Sequence, residues 1–141
     1  MSDLTTRQLS HTEARKAIDA ALAKAEEIGS PSSVAIVDAG RELLAFARME
    51  GALLASVEIS QAKAFTARSM NMPTGDIGPL TQPGGPFFGL EHTQRRPMVS
   101  FGGGLPLSVG GENVGAIGVA GGSADQDVEV ASAGAAALEE L

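Results

Sequence analysis

Beginning at Ser10, apolar and polar positions alternate with a helical period, and Ala14, Ile18, Ala21, Leu22, Ala25 and Ile28 fall on one stripe. Ser10-His11-Thr12-Glu13 has the Ser-x-x-Glu form of a capping box, in which each side chain satisfies a backbone donor at the helix start. Gly29 suits the left-handed position after the last turn, and Pro31 prevents continuation. The pattern then shortens. Val34–Val37 is a β-branched run ending in the turn signal Asp38-Ala39-Gly40, and Leu43–Met49 returns with an apolar face, so the two predict a β-hairpin. A second helix is expected from about Leu54 to Met70, with Val57, Ile59, Ala62 and Phe65 as its buried positions, ended by Asn71-Met72-Pro73.

Between Pro73 and Arg96 no period holds and Pro and Gly recur, which predicts a long loop of the functional kind. Met98–Phe101, Leu105–Val109 and Val114–Ala120 are then expected as three strands, with Gly110-Gly111-Glu112-Asn113 as a hairpin turn. Ser123-Ala124-Asp125-Gln126 is a second capping box, opening an Ala-rich helix to Leu141. The expected fold is α+β, with a mainly antiparallel five-stranded sheet flanked by helices.

The 141 residues suit one domain, read as an arm over 1–9 and a domain over 10–141. A net charge of −7 repels phosphate backbones and anionic lipid, so neither nucleic acid nor membrane is expected as a partner. With no Cys, thiolate catalysis and Cys-held metals are excluded, and with no Trp or Tyr the chain lacks base-stacking platforms. Met1–Gln8 has no apolar run of the signal-peptide type, and no stretch reaches the roughly 20 apolar residues of a membrane span, so a cytoplasmic location is expected. A core of Ala, Val, Leu and Ile is small, and homo-oligomerisation is the expected complement.

No phosphate loop, dinucleotide fingerprint or nucleophile elbow is present. Lys63 and Thr66 share a helix face, Gly103 and Gly104 with Leu105 offer bare backbone amides to a ligand, and Asp127 lies at a helix start, where capping competes with general acid–base work. His92 stands in the long loop near Phe87 and Phe88, with Arg95 and Arg96 following. One reading makes it an exposed loop residue. The other makes it an axial ligand to haem iron, with the phenylalanines on the porphyrin face and an arginine on a propionate. His11 competes for the same role.

Val34-Ala35-Ile36-Val37-Asp38-Ala39-Gly40 and Phe46-Ala47-Arg48-Met49-Glu50-Gly51-Ala52 resemble the opening signature of the GlcG/HbpS-like family, the haem-degrading or DUF336 domain. Lys63-Ala64-Phe65-Thr66-Ala67, Gly103-Gly104-Leu105-Pro106-Leu107 and Val114–Gly122 followed by Asp127 resemble its later motifs, in unbroken order over about residues 10–141. The resemblance implies a profilin-like three-layer α/β/α domain assembling into homo-oligomers, often octamers, in a family associated with haem binding and haem breakdown. Three readings follow. The first is an oligomer binding haem or a similar small cofactor through His92 or His11. The second is a catabolic hydrolase or isomerase of a carbonyl or imine, with Lys63 and Asp127 catalytic and Arg48 holding a substrate carboxylate. The third is an oligomeric scaffold without a ligand.

Overall fold

The structure is a computed structural model and describes residues 7–139 and 141, so most of the expected arm over 1–9 lies outside the described residues. Helix α1 spans His11–Glu27 and begins with the expected box: the Glu13 amide donates to Ser10 Oγ at 3.0 Å, and the Ser10 amide donates to Glu13 Oε1 at 3.0 Å. Gly29 ends the turn at φ 68°. Arg7 reaches back to the same carboxylate, with Nη2 2.7 Å from Glu13 Oε2. The Arg7 guanidinium, helped by the Ser10 amide, holds the Glu13 carboxyl down at about 2.

Strands β1 (Ser33–Asp38) and β2 (Leu43–Arg48) form the first hairpin. Its turn is fixed by Asp38 Oδ1, which accepts from the Gly40 and Glu42 amides at 2.9 and 3.0 Å. Arg41, rather than Gly40, takes the left-handed backbone conformation. Helix α2 (Ser56–Met70) follows, and a short helix α3 (Thr74–Ile77) opens the long loop. Strands β3 (Gly104–Val109) and β4 (Glu112–Ala120) form the second hairpin, where Gly110 and Gly111 both carry positive φ as a tight hairpin turn requires. Helix α4 (Ala124–Glu139) starts on the second expected box, Ser123 and Gln126 exchanging hydrogen bonds of 3.2 and 2.9 Å. All pairings are antiparallel, and β1 joins β4 to give the order β2-β1-β4-β3. Helices α1 and α4 cover one face, where Val34, Ile36, Ile117 and Val119 meet Ala17, Ala21, Val130 and Leu138. Helix α2 covers the other.

Two expectations are corrected. The sheet has four strands, not five, because Met98–Phe101 forms no ladder. The Val99 amide instead donates to the Thr66 hydroxyl of α2 at 2.9 Å, so a side chain replaces the neighbouring strand. Of the buried positions expected on α2 only Phe65 is buried; Val57, Ile59 and Ala62 stay half-buried, and Ser56, Ser60, Lys63, Ala64, Thr66 and Ala67 are buried instead. The cause is close approach. A Cβ on Gly118 would collide with the Ser60 carbonyl oxygen, and one on Gly104 with that of Lys63. Only small side chains fit between a helix backbone and a sheet backbone at that distance. The hydroxyls tolerate burial by donating to their own helix, Ser60 to the Val57 carbonyl at 3.0 Å and Thr66 to the Ala62 carbonyl at 2.7 Å.

The long loop is ordered by burying Thr74 and Ile77 completely and by folding on itself, the Phe87 amide donating to the Leu80 carbonyl at 2.8 Å. None of the described helices is long and apolar enough to cross a membrane.

Two outcomes are expected. Gly118→Ala lowers stability in urea titration by roughly 1–3 kcal/mol, the usual cost of overpacking. Glu13 contributes stability that is complete above its ordinary value of 4.5 and is lost as pH falls through about 2. An NMR titration of its carboxyl therefore shows a midpoint near 2 that moves toward 4.5 in Arg7→Ala.

Candidate functional site

The side chains that α2 buries include a cation. Lys63 is 1% exposed and Asp127, in the first turn of α4, is 3% exposed. Lys63 Nζ donates to Asp127 Oδ2 at 2.9 Å and to the Val119 carbonyl at 2.8 Å, and it lies 5.0 Å from the centroid of the Phe101 ring. The other Asp127 oxygen accepts from the Gly122 amide at 3.0 Å. Gly103, at φ 129°, lies against the ammonium, and a Cβ there would approach Nζ to 2.6 Å. Burial pushes the Lys63 ammonium below its ordinary 10.5, and the Asp127 carboxylate opposes that shift. The ion pair therefore ties α2 to β4 and to the start of α4, with both carboxylate oxygens engaged.

Around it, Thr66 binds the 98–101 segment, and the Gly104 amide donates to Thr74 Oγ1 at 2.9 Å rather than facing a ligand. Leu105 is half-buried on β3 and packs against the core. Thus Lys63, Asp127 and Gly103 come together, with Thr66 and Gly104 on the same inner face of the sheet. Arg48 stands apart, exposed at the end of edge strand β2 opposite Ser33.

His92 is exposed in a single 3₁₀ turn, Leu90–His92, and Phe87 and Phe88 are 46% and 68% exposed, so in the single chain they wall no enclosed space. His11, at the first turn of α1, opens a groove of about 420 Å³ between α1 and β2. Ile18, Leu22, Leu44, Ala45 and Ala47 give it apolar walls, and Arg15 and Asp19 border it. Among the described residues no three His, Asp or Glu side chains cluster as a metal site.

A second cleft lies on the α2 side of the sheet, and the motifs gave no hint of it. Arg41 from the hairpin turn and Arg96 from the end of the long loop converge on Phe65 of α2, their Cζ atoms 4.8 and 4.3 Å from the ring centroid. A positive φ at Arg41 is the one local signal, and it is structural rather than legible in the sequence.

The Lys63–Asp127 pair makes a direct prediction. Lys63→Met leaves a buried carboxylate without its counter-charge and costs about 3–5 kcal/mol in urea denaturation. The double variant Lys63→Met with Asp127→Asn regains part of that loss, because the stranded charge is gone.

Comparison with known proteins places this geometry in a family. The profile described as haem-degrading protein HbpS-like matches residues 9–136. An uncharacterised 15.0 kDa protein from the dhaT-dhaS intergenic region of Citrobacter freundii is 41% identical over 114 residues, covering 81% of this chain and 80% of that protein. The corrinoid adenosyltransferase PduO of Citrobacter freundii is 38% identical over 130 residues; the match takes in 92% of this chain and only 39% of PduO. The solved structure of a PduOC–haem complex superposes with a TM-score of 0.89 at 35% identity, covering 94% of this chain and 96% of the other. The four-stranded antiparallel sheet, the motifs in their order and the match over nearly the whole chain make this protein a member of the HbpS-like family.

Proposed function

We propose that the protein is a homo-oligomeric HbpS-like protein that binds haem or a similar small cofactor, with His11 rather than His92 as the iron ligand. The observation that carries this reading is the groove at the start of α1, where one imidazole, an apolar wall and an arginine come together. Haem ligation needs a single imidazole and a water-poor face, and both are offered there. His11 would hold the iron, Ile18, Leu22, Leu44, Ala45 and Ala47 would lie against the macrocycle, and Arg15 would pair with a propionate. Bound haem would supply a redox-active iron with a coordination position for a further ligand. The likeness to the PduOC–haem complex supports the same reading.

Oligomerisation is supported by the outer side of α2 and the turn before it. Leu53 and Leu54 are 64% and 87% exposed, with the half-buried Val57 and Ile59 close by in sequence. An apolar surface of this kind is what subunit contacts cover. Helices on both faces of the sheet fit the profilin-like three-layer arrangement. Lys63 and Asp127 serve this protein as a buried clamp in our reading, since neither side chain lines the His11 groove or the cleft at Phe65.

A haemin titration followed by absorbance tests the proposal, with His11→Ala and His92→Ala alongside. The expected result is a saturable Soret shift near one haem per subunit that is lost in His11→Ala and kept in His92→Ala. Loss in His92→Ala alone would move the site to the long loop, and no saturable shift would reject haem as the ligand.

A further inference from the structure

The cleft at Phe65 has no part in the function proposed above, and it shares no lining residue with the His11 groove. Phe65 is 4% exposed, and two guanidinium groups lie against its ring. Like charges gathered at one ring repel each other unless an anion joins them. The chain does not supply that anion closely. Arg41 Nη1 donates to the neutral oxygens of Ser69 and Gln94, each at 3.2 Å. Arg96 Nη1 donates to the Arg41 carbonyl at 3.0 Å, and its Nη2 lies 3.6 Å from Glu42, a side chain that is 72% exposed. Arg95 lines the same cleft, and the acidic groups beside it are Glu42 and Glu58. A local excess of arginine in a chain of net charge −7 runs against the overall charge.

The Asp38 turn holds Arg41 in place at φ 72°, its amide donating to the Asp38 carbonyl at 3.0 Å. Beneath the arginines is a cavity of about 190 Å³, with Val37, Leu43, Ala62 and Phe65 forming its apolar part. Sites for drug-sized ligands usually enclose about 300–1,000 Å³, so the apolar part takes no more than a small group, and the wider polar part of the cleft, about 730 Å³ lined by Arg41, Arg95 and Arg96, lies beside it.

We propose that the Arg41–Phe65–Arg96 cavity binds a small carboxylate that carries a planar apolar group, such as a single-ring aryl carboxylate. The carboxylate lies between the two guanidinium forks, whose paired N–H groups match its two oxygens, and the ring enters the apolar part. A bare phosphate would meet the same charge but leave the apolar wall uncovered.

Isothermal titration of the full chain with benzoate tests this, with benzamide as the neutral isostere and inorganic phosphate as the anion without a ring. The expected result is saturable benzoate binding, about tenfold or more weaker in Arg96→Gln and Arg41→Gln, with benzamide weaker by a similar factor. Circular dichroism establishes that each variant is folded, and Arg96, being exposed, is the substitution that least disturbs the chain. Absence of benzoate binding in the wild type, or affinity unchanged in folded Arg96→Gln, overturns the site. Phosphate binding as tight as benzoate overturns the ligand class. Haem binding through His11 is read by a different signal on different residues, so either result leaves the other standing or falling by itself.

Discussion

The distance between α2 and the sheet governs the rest of this molecule. Gly118 and Gly104 let the helix backbone approach the backbones of β4 and β3, and no side chain larger than a methyl or hydroxymethyl group fits at the closest points. Val57 and Ile59 of α2 are left half-buried, and the contact with the sheet falls to Ser, Ala, Thr and one Lys, with Phe65 buried beside it. A lysine inside such a contact must find its partners there. It does so in the Val119 carbonyl and the Asp127 carboxylate, which bring β4 and α4 into the same joint.

This joint explains why two residues that look catalytic in the sequence act together without facing solvent. A lysine and an aspartate at hydrogen-bond distance have the chemistry of an acid–base pair, but both are sealed beneath Gly103 and Phe101. Buried ion pairs of this kind fix geometry more than they add stability, because desolvation offsets much of their attraction. The pair joins α2 to β4 and to the first turn of α4.

The clefts of the molecule lie on the two sides of the sheet. On the α1 side, the helix start brings His11 and Arg15 beside the apolar edge of β2. On the α2 side, the turn between β1 and β2 and the end of the long loop lay two arginines on Phe65. The end of the long loop lines the α2-side cleft with Arg95 and Arg96, and Phe87, Phe88 and His92 are exposed.

Local chemistry alone determined the elements whose causes are local. Both capping boxes, the left-handed Gly29, the Asp38 turn and the Gly110-Gly111 hairpin each depend on a few neighbouring residues and were legible in their spacing. The motifs in their order also carried the family. Tertiary structure decided whatever depends on distance between elements. Of the apolar residues expected in the core from α2, Phe65 is buried but Val57, Ile59 and Ala62 are only half-buried, because close backbone approach leaves the contact with the sheet to small side chains. Met98–Phe101 has the composition of a strand, yet a threonine hydroxyl takes the amide that a ladder would need. Arg41 and Arg96 are 55 positions apart, and no local signal joins them. Only the folded sheet, with α2 held tight against it, puts both guanidinium groups on one phenyl ring.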